Sequence, residues 1–199
     1  MKLVAGLGNP GARYRGTRHN IGYEVVDRVI ARHGLRTDMW RQVAETAEWR
    51  RPDGRVLLVK PTTFMNLSGE AVAALMAFYR IDLDQVLIVC DDVNLPVGRL
   101  RARPAGSEGG NNGLRSITAS LGTTDYARLR IGAGRGDPRR DLADHVLSRF
   151  SPDEVGSVQA AIDRAADAVE VWIDGGITRV MNAFNRTDEE PEDAGNVES

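Results

Sequence analysis

Apolar positions along this chain alternate between short continuous runs and stretches of helical spacing, and their order predicts a sheet covered by helices. The opening KLVAGLG is a continuous apolar run closed by glycine, as expected of a buried strand feeding a loop. IGYEVVDRVIARHG then takes up helical spacing from about Ile21, with a glycine stop at Gly34. From Met39 to Lys60 the pattern reads as two strands joined through RPDGR, a turn of the Asp-Gly type. An amphipathic helix follows from about Ser68, and DQVLIVCDD is a central apolar strand ending in Asp91 and Asp92. NLPVGRLRA is a loop feeding a short strand, the glycine-rich PAGSEGGNNG crosses to a helix over LRSITASLG, and DYARLRIGAG is another strand. GRGDPRRDLADHVLSRF reads as a loop and a helix. Ser151 as cap and Pro152 at the first helical position then open a long helix that runs to Trp172 and stops at Gly175 and Gly176. ITRVMNAFN supplies a last short helix. The expected fold is α/β: a single-domain, three-layer arrangement in which a twisted mixed, mostly parallel sheet is flanked by helices.

Charge changes this picture at one end. Of 28 acidic side chains, six fall in residues 188–199, which carry no base, so residues 1–187 hold 26 basic against 22 acidic groups. The expected organisation is a catalytic domain over 1–187 and an acidic, disordered tail over 188–199. All but Lys2 and Lys60 of the bases are arginine, whose planar fork suits phosphate; genome composition accounts for such a bias equally well. The single cysteine, Cys90, sits inside an apolar run without thiol-rich spacing and reads as a buried, inert thiol. No apolar stretch reaches the length of a membrane span, and the first residues lack the apolar length and small-residue cleavage site of a signal peptide, so a cytoplasmic protein with no membrane partner is expected.

The candidate chemistry starts from an ambiguity. Gly6, Gly8 and Gly11 match a dinucleotide fingerprint, which would make the chain a nicotinamide-dependent oxidoreductase. The helix begins about ten residues late for that reading, however, and Asp27 falls inside it rather than at the end of a second strand. A hydrolytic reading uses more of the sequence. Asparagines recur at three strand-to-helix junctions: Asn9, Asn66, and the pair Asn111 and Asn112. Carboxamides both donate and accept hydrogen bonds, so several of them around one imidazole can hold a carbonyl and a water while the imidazole takes a proton; each alone is also a common cap or turn residue. Of three histidines, His33 lies in the last turn of a helix and His145 within a helical pattern, whereas His19 precedes its helix in a polar loop. A carboxylate at the end of the central strand, Asp91 or Asp92, could hold its tautomer. One adjacent carboxylate pair supplies too few ligands for a hard cation, and no zinc motif is present, so neither metal nor cofactor is expected. In GRLRAR, alternation puts Arg99, Arg101 and Arg103 on one strand face, which serves either a solvated edge or a phosphate clamp.

GLGNPG with RHNIG, then KPTTFMNLSG, DDVNLPVGRLR and GGNNGLRSI, resemble in order and spacing the bacterial-type peptidyl-tRNA hydrolase family over about residues 2–186. The resemblance implies a monomeric, metal-independent enzyme that cleaves the ester between a peptide and the 3′-terminal ribose of tRNA, with peptidyl-tRNA, its acceptor end and terminal adenosine as the partner. It further implies His19 as general base and Asp91 as the carboxylate that orients it. Asn9, Tyr14, Met65, Asn66 and Asn112 are implied as substrate-binding residues, Asn112 holding the attacking water, and Arg99, Arg101, Arg103 and Arg130 as ligands of tRNA phosphate. One departure stands out: Asn111 occupies a position where the family commonly has histidine, so an imidazolium charge is lost there. A relative that binds RNA without catalysis is the first alternative, and a nicotinamide-dependent oxidoreductase the second.

Overall fold

The computed structural model describes residues 1–137, 139 and 141–186, so the expected acidic tail lies outside the described residues. Seven strands, β1 (Lys2–Gly6), β2 (Asp38–Trp40), β3 (Ala44–Arg51), β4 (Gly54–Pro61), β5 (Val86–Asp92), β6 (Leu100–Arg103) and β7 (Ala127–Gly132), form one sheet in the order β2-β3-β4-β1-β5-β7-β6. The central strands β4, β1, β5 and β7 are parallel, while β3 and β6 run antiparallel to their neighbours. Five helices accompany them: α1 (Ile21–Arg32), α2 (Ser68–Tyr79), α3 (Asn112–Leu121), α4 (Leu142–Val146) and α5 (Pro152–Phe184).

Strand alternation sorts the core into two halves. Val4, Leu58, Leu87, Val89 and Leu129 face α1 and α5, and Leu3, Ala5, Leu57, Val59, Ile88 and Cys90 face α2 and α3. Strands buried on both faces need the continuous apolar runs seen in the sequence. Three layers result, as expected. None of the helices of the described residues is long and apolar enough to cross a membrane.

One expected boundary is corrected. The segment from Met39 to Lys60 holds parts of three strands rather than two, because Arg41 and Gln42 adopt left-handed backbone, with φ of 47° and 59°, and turn the chain between β2 and β3. The glycine stop holds: Gly176 leaves helical backbone, with φ 75° and ψ -179°, so the span from Pro152 to Phe184 is two helices meeting at a kink, the second being the expected last short helix.

β1 and β5 are neighbours, and the chain leaves the carboxyl end of β1 toward the β4 side of the sheet but that of β5 toward the β7 side. Open α/β sheets keep their clefts at such a switch point. Two glycine contacts decide what occupies it here. A side chain on Gly6 would run into the Gly22 carbonyl, and one on Gly22 into the Val89 carbonyl, so α1 lies directly against β1 and β5. The first glycines of the apparent dinucleotide fingerprint thus serve helix-to-sheet approach, with Gly8 receiving the face of the Tyr23 ring. The start of α1, and His19 just before it, are drawn over the ends of β1 and β5.

Candidate active site

His19 stands in a short 3-10 turn, Arg18–Asn20, whose three side chains are all buried and each held by a different partner. Arg18 donates to both carboxylate oxygens of Glu154, at 3.1 and 2.6 Å, and to the Ala133 carbonyl at 2.8 Å, with its guanidinium 4.6 Å above the Phe150 ring. Asn20 exchanges two hydrogen bonds with the backbone of Asn9, at 2.9 and 3.0 Å. His19 places Nδ1 2.7 Å from Asp91 Oδ1. An ionised carboxylate can only accept, so Nδ1 carries the proton and Nε2 presents its lone pair.

The ambiguity between Asp91 and Asp92 ends in strand alternation, which sends adjacent side chains to opposite sides of β5. Asp91 meets His19. Asp92 instead accepts from Arg130 at 2.9 Å and from the Asn94 amide at 2.8 Å. Asp91 is 2% exposed and His19 7%, so little water competes for their bond.

Nε2 of His19 has no partner among the described residues and faces a trench that His19 divides. The smaller part, about 150 Å³, runs between Asp91, the glycine-rich loop at Gly109 and Gly110, and α4. The larger, about 520 Å³, is walled by Asn9, Phe64, Met65, Asn66 and Leu147. Asn112, Ala143 and Val146 border both. Apolar wall and free amides thus surround one imidazole nitrogen.

The expected substrate-binding residues separate into groups. Asn9 Oδ1 accepts from the Met65 amide at 2.9 Å, which fixes the carboxamide and leaves Nδ2, on a residue that lines the trench, without a partner among the described residues. Asn66 is exposed on the same wall without a protein partner among the described residues, and Met65, buried, joins the wall to the core. Asn112 sits at the exposed rim, where Oδ1 accepts from Arg115 at 3.0 Å. Tyr14 lines neither part of the trench; its hydroxyl accepts from Arg13 and its carbonyl holds Thr17. Asn111, not Asn112, turns inward: Nδ2 donates to Asp91 Oδ1 at 2.9 Å.

The arginines separate too. Arg101 and Arg103 are exposed on edge strand β6, and Arg99 just before it reaches the Asn185 carbonyl at 3.3 Å. Arg130 is no free surface cation. It borders the smaller part of the trench with its guanidinium on Asp92 and on the Ser107 carbonyl. Arg128, close to it in sequence, is fully buried and donates to the carbonyls of Gly106, Ser107 and Thr124, so it holds the glycine-rich loop in place.

Sequence reasoning missed Arg18 and Glu154. Glu154 is the third residue of the long helix and accepts from the Ser151 amide at 2.8 Å, completing a capping box that S-P-D-E could have signalled. Its bond from Arg18, against a smaller cost of burial and with help from Ser151, holds its carboxyl at about 2, well below the usual carboxylate range. The other histidines are structural. His33 stacks on Trp49 and meets Glu170 at 3.1 Å, and His145 Nε2 bonds the Gly134 carbonyl at 2.9 Å. Cys90 is fully buried, and that burial, with Asp91 beside it, raises its thiol far above the ordinary range. Among the described residues, no group of three His, Cys, Asp or Glu side chains is placed to hold a metal ion.

The family model, the curated relatives and the solved structures above 30% identity agree. The family model described as peptidyl-tRNA hydrolase matches residues 3–192. A peptidyl-tRNA hydrolase of Chloroflexus aggregans is 50% identical over 186 residues, covering 93% of this chain and 99% of that protein. One from Halalkalibacterium halodurans is 43% identical over 185 residues, covering 93% and 100%. The crystal structure of peptidyl-tRNA hydrolase from Acinetobacter baumannii superposes with a TM-score of 0.87 at 32% identity, covering 93% of this chain and 94% of that one. A buried His-Asp pair at the sheet's switch point, a trench walled by carboxamides, and matches spanning nearly the whole sequence agree: this chain belongs to the peptidyl-tRNA hydrolase family.

Proposed function

We propose that the chain hydrolyses the ester between a peptide and the 3′-terminal ribose of tRNA, using a water molecule activated by His19. The observation that carries this reading is the division of labour on one ring: Nδ1 is committed to buried Asp91 while Nε2 opens on the trench. Water held against Nε2 attacks the ester carbonyl carbon, and its proton passes to Nε2. Asp91 stabilises the imidazolium that forms. Asn112 and a backbone donor stabilise the tetrahedral oxyanion, and Asn9 Nδ2 and Asn66 orient the substrate carbonyl and the attacking water. The bond from carbon to ribose oxygen then breaks, and Nε2 returns its proton to that departing oxygen, so peptide and tRNA leave with the site reset.

Phe64 and Met65 offer the wall for the terminal adenosine or for peptide side chains. Arg101 and Arg103, exposed and without acidic partners among the described residues, are the cations best placed to meet phosphate of the acceptor end. The catalytic unit is residues 1–187, with 188–199 as an acidic extension.

Release of the peptide from diacetyl-lysyl-tRNA, measured with chelator present, tests the assignment. Rapid turnover is the expected result. Binding of tRNA without turnover would instead make the chain an RNA-binding relative that has lost catalysis.

A further inference from the structure

We propose that Asn111 is a positioning residue that sets how strongly Asp91 supports His19, so that it tunes the proton-accepting step rather than binding substrate. The proposal rests on the His19-Asp91 reading of the site.

Asn111 is the N-cap of α3, and its Oδ1 accepts from the Leu114 amide at 3.1 Å. That bond settles which way the carboxamide points, since an oxygen must face the amide. Nδ2 is therefore turned to Asp91, where it donates to Oδ1 at 2.9 Å and to the backbone carbonyl at 3.2 Å. The same Oδ1 receives His19 Nδ1 at 2.7 Å. One carboxylate oxygen thus serves two donors, a neutral amide and the imidazole. Asn111 is 8% exposed, which leaves the contact largely dry.

Few other charges reach this oxygen. On β5 the neighbours are the buried Cys90 thiol and Asp92, which is spent on Arg130 of β7. In the turn before α1, Arg18 is matched by Glu154 of α5. On α1, Glu24 and Asp27 line a separate pocket beside Lys60. α3 has no acid in its first turn and its Arg115 bonds Asn112 at the rim. On α4, Asp144 is exposed and His145 is bonded to Gly134. The neutral donor on Asp91 is therefore the adjustable element. A hydrogen bond to an anion draws off part of the charge that would otherwise stabilise the imidazolium. Without it, Asp91 holds the protonated ring more tightly and also loses one of the two contacts that fix its rotamer.

Two substitutions separate this role from the cap. Asn111→Ser keeps an oxygen for the Leu114 amide but removes the carboxamide nitrogen that reaches Asp91, leaving only a shorter hydroxyl committed to the cap. Asn111→Asp keeps the cap and sets a second carboxylate against Asp91. Both retain the cap of α3, so Tm should stay close to native in Asn111→Ser, whereas Asn111→Asp, which buries two carboxylates together, should lower it without unfolding the protein at the assay temperature. With diacetyl-lysyl-tRNA, the acid limb of the kcat-pH profile should move to higher pH in Asn111→Ser, and further in Asn111→Asp. At neutral pH kcat should fall roughly tenfold and on the order of a hundredfold respectively, with KM changed by less than about threefold. The His19 ring resonances, followed by NMR without substrate, should shift their titration in the same direction. An unmoved acid limb and NMR titration in both variants would overturn the proposal and leave Asn111 a helix cap alone. A KM effect with kcat preserved would overturn it in favour of a substrate contact. His19→Ala, assayed alongside, keeps the underlying reading separate: full turnover there contradicts the His19-Asp91 assignment itself, whatever Asn111 does.

Discussion

Asn9 and Asn111 are the same side chain used in opposite directions. Each follows a glycine-punctuated loop at the carboxyl end of the sheet, and each has Oδ1 fixed by one backbone amide, that of Met65 or of Leu114. Nδ2 of Asn9, on a residue that lines the trench, is left without a partner among the described residues, whereas Nδ2 of Asn111 is consumed by Asp91. A carboxamide whose oxygen is fixed behaves as an aimed donor. What lies in front of it, a substrate-sized void or a carboxylate, decides whether it acts on the reactant or on the catalyst.

Among the ways to break this comparison, replacing the open donor should have the largest effect. Asn9→Asp keeps the acceptor for the Met65 amide but sets an anion where the carbonyl is oriented and negative charge develops, and kcat should fall by about 10²- to 10³-fold. A kinetic assay with circular dichroism as the fold control checks this. Native kcat in the folded variant would leave Asn9 as a brace for the Met65 amide alone, and the comparison would collapse.

The loops themselves offer the next contrast. In the first, Gly6 is required by the close approach of Gly22; in that same loop Gly11 has φ 103° and open space around it. Gly6→Ala should therefore cost about 3 kcal/mol or more through overpacking against the Gly22 carbonyl, and Gly11→Ala about 1 to 2 kcal/mol from a backbone conformation nearly confined to glycine. Thermal unfolding of the two variants measures the difference, and equal losses would remove the packing explanation for Gly6.

A smaller effect concerns the clamp behind His19. Glu154 is held at about 2 in the folded chain, against 4.5 for the free group. Its lowered value means that the stability it contributes is complete above pH about 4.5 and is lost as pH falls toward about 2. Glu154→Gln should lower stability by about 1 to 2 kcal/mol at neutral pH, solvent screening of a partly exposed carboxylate included. The gap between native and variant should close in acid unfolding between those two pH values. A gap independent of pH would contradict the charge-based account of the clamp.

The smallest expected change is at the edge strand. Arg101→Ala combined with Arg103→Ala should raise KM by a few-fold, leave kcat in place, and flatten the dependence of KM on salt. A salt dependence equal to that of the native chain would return these arginines to the role of solvated edge residues.

Much of this was legible in the chain. Continuous apolar runs gave the buried strands, the late helix start argued against dinucleotide binding, and exclusion among three histidines left His19 in the polar loop. The order of four motifs carried the family. What escaped is what depends on distance and direction. Arg18 and Glu154 lie 136 residues apart, and no periodicity joins them. Alternation implied that Asp91 and Asp92 diverge without indicating which one meets the imidazole. Between Asn111 and Asn112, the cap geometry at the start of α3 turns the first inward and leaves the second at the rim, a one-residue difference that composition cannot express. The three leading glycines misled because close packing and phosphate approach call for the same absent side chain.

The central claim is that His19 moves the proton. Single-turnover hydrolysis of diacetyl-lysyl-tRNA by native protein and by His19→Ala, with tRNA affinity and Tm recorded for both, tests it most directly. The account predicts a rate lower by about 10²- to 10⁴-fold in the variant with affinity and fold retained; an unchanged rate in a well-folded His19→Ala protein would contradict it.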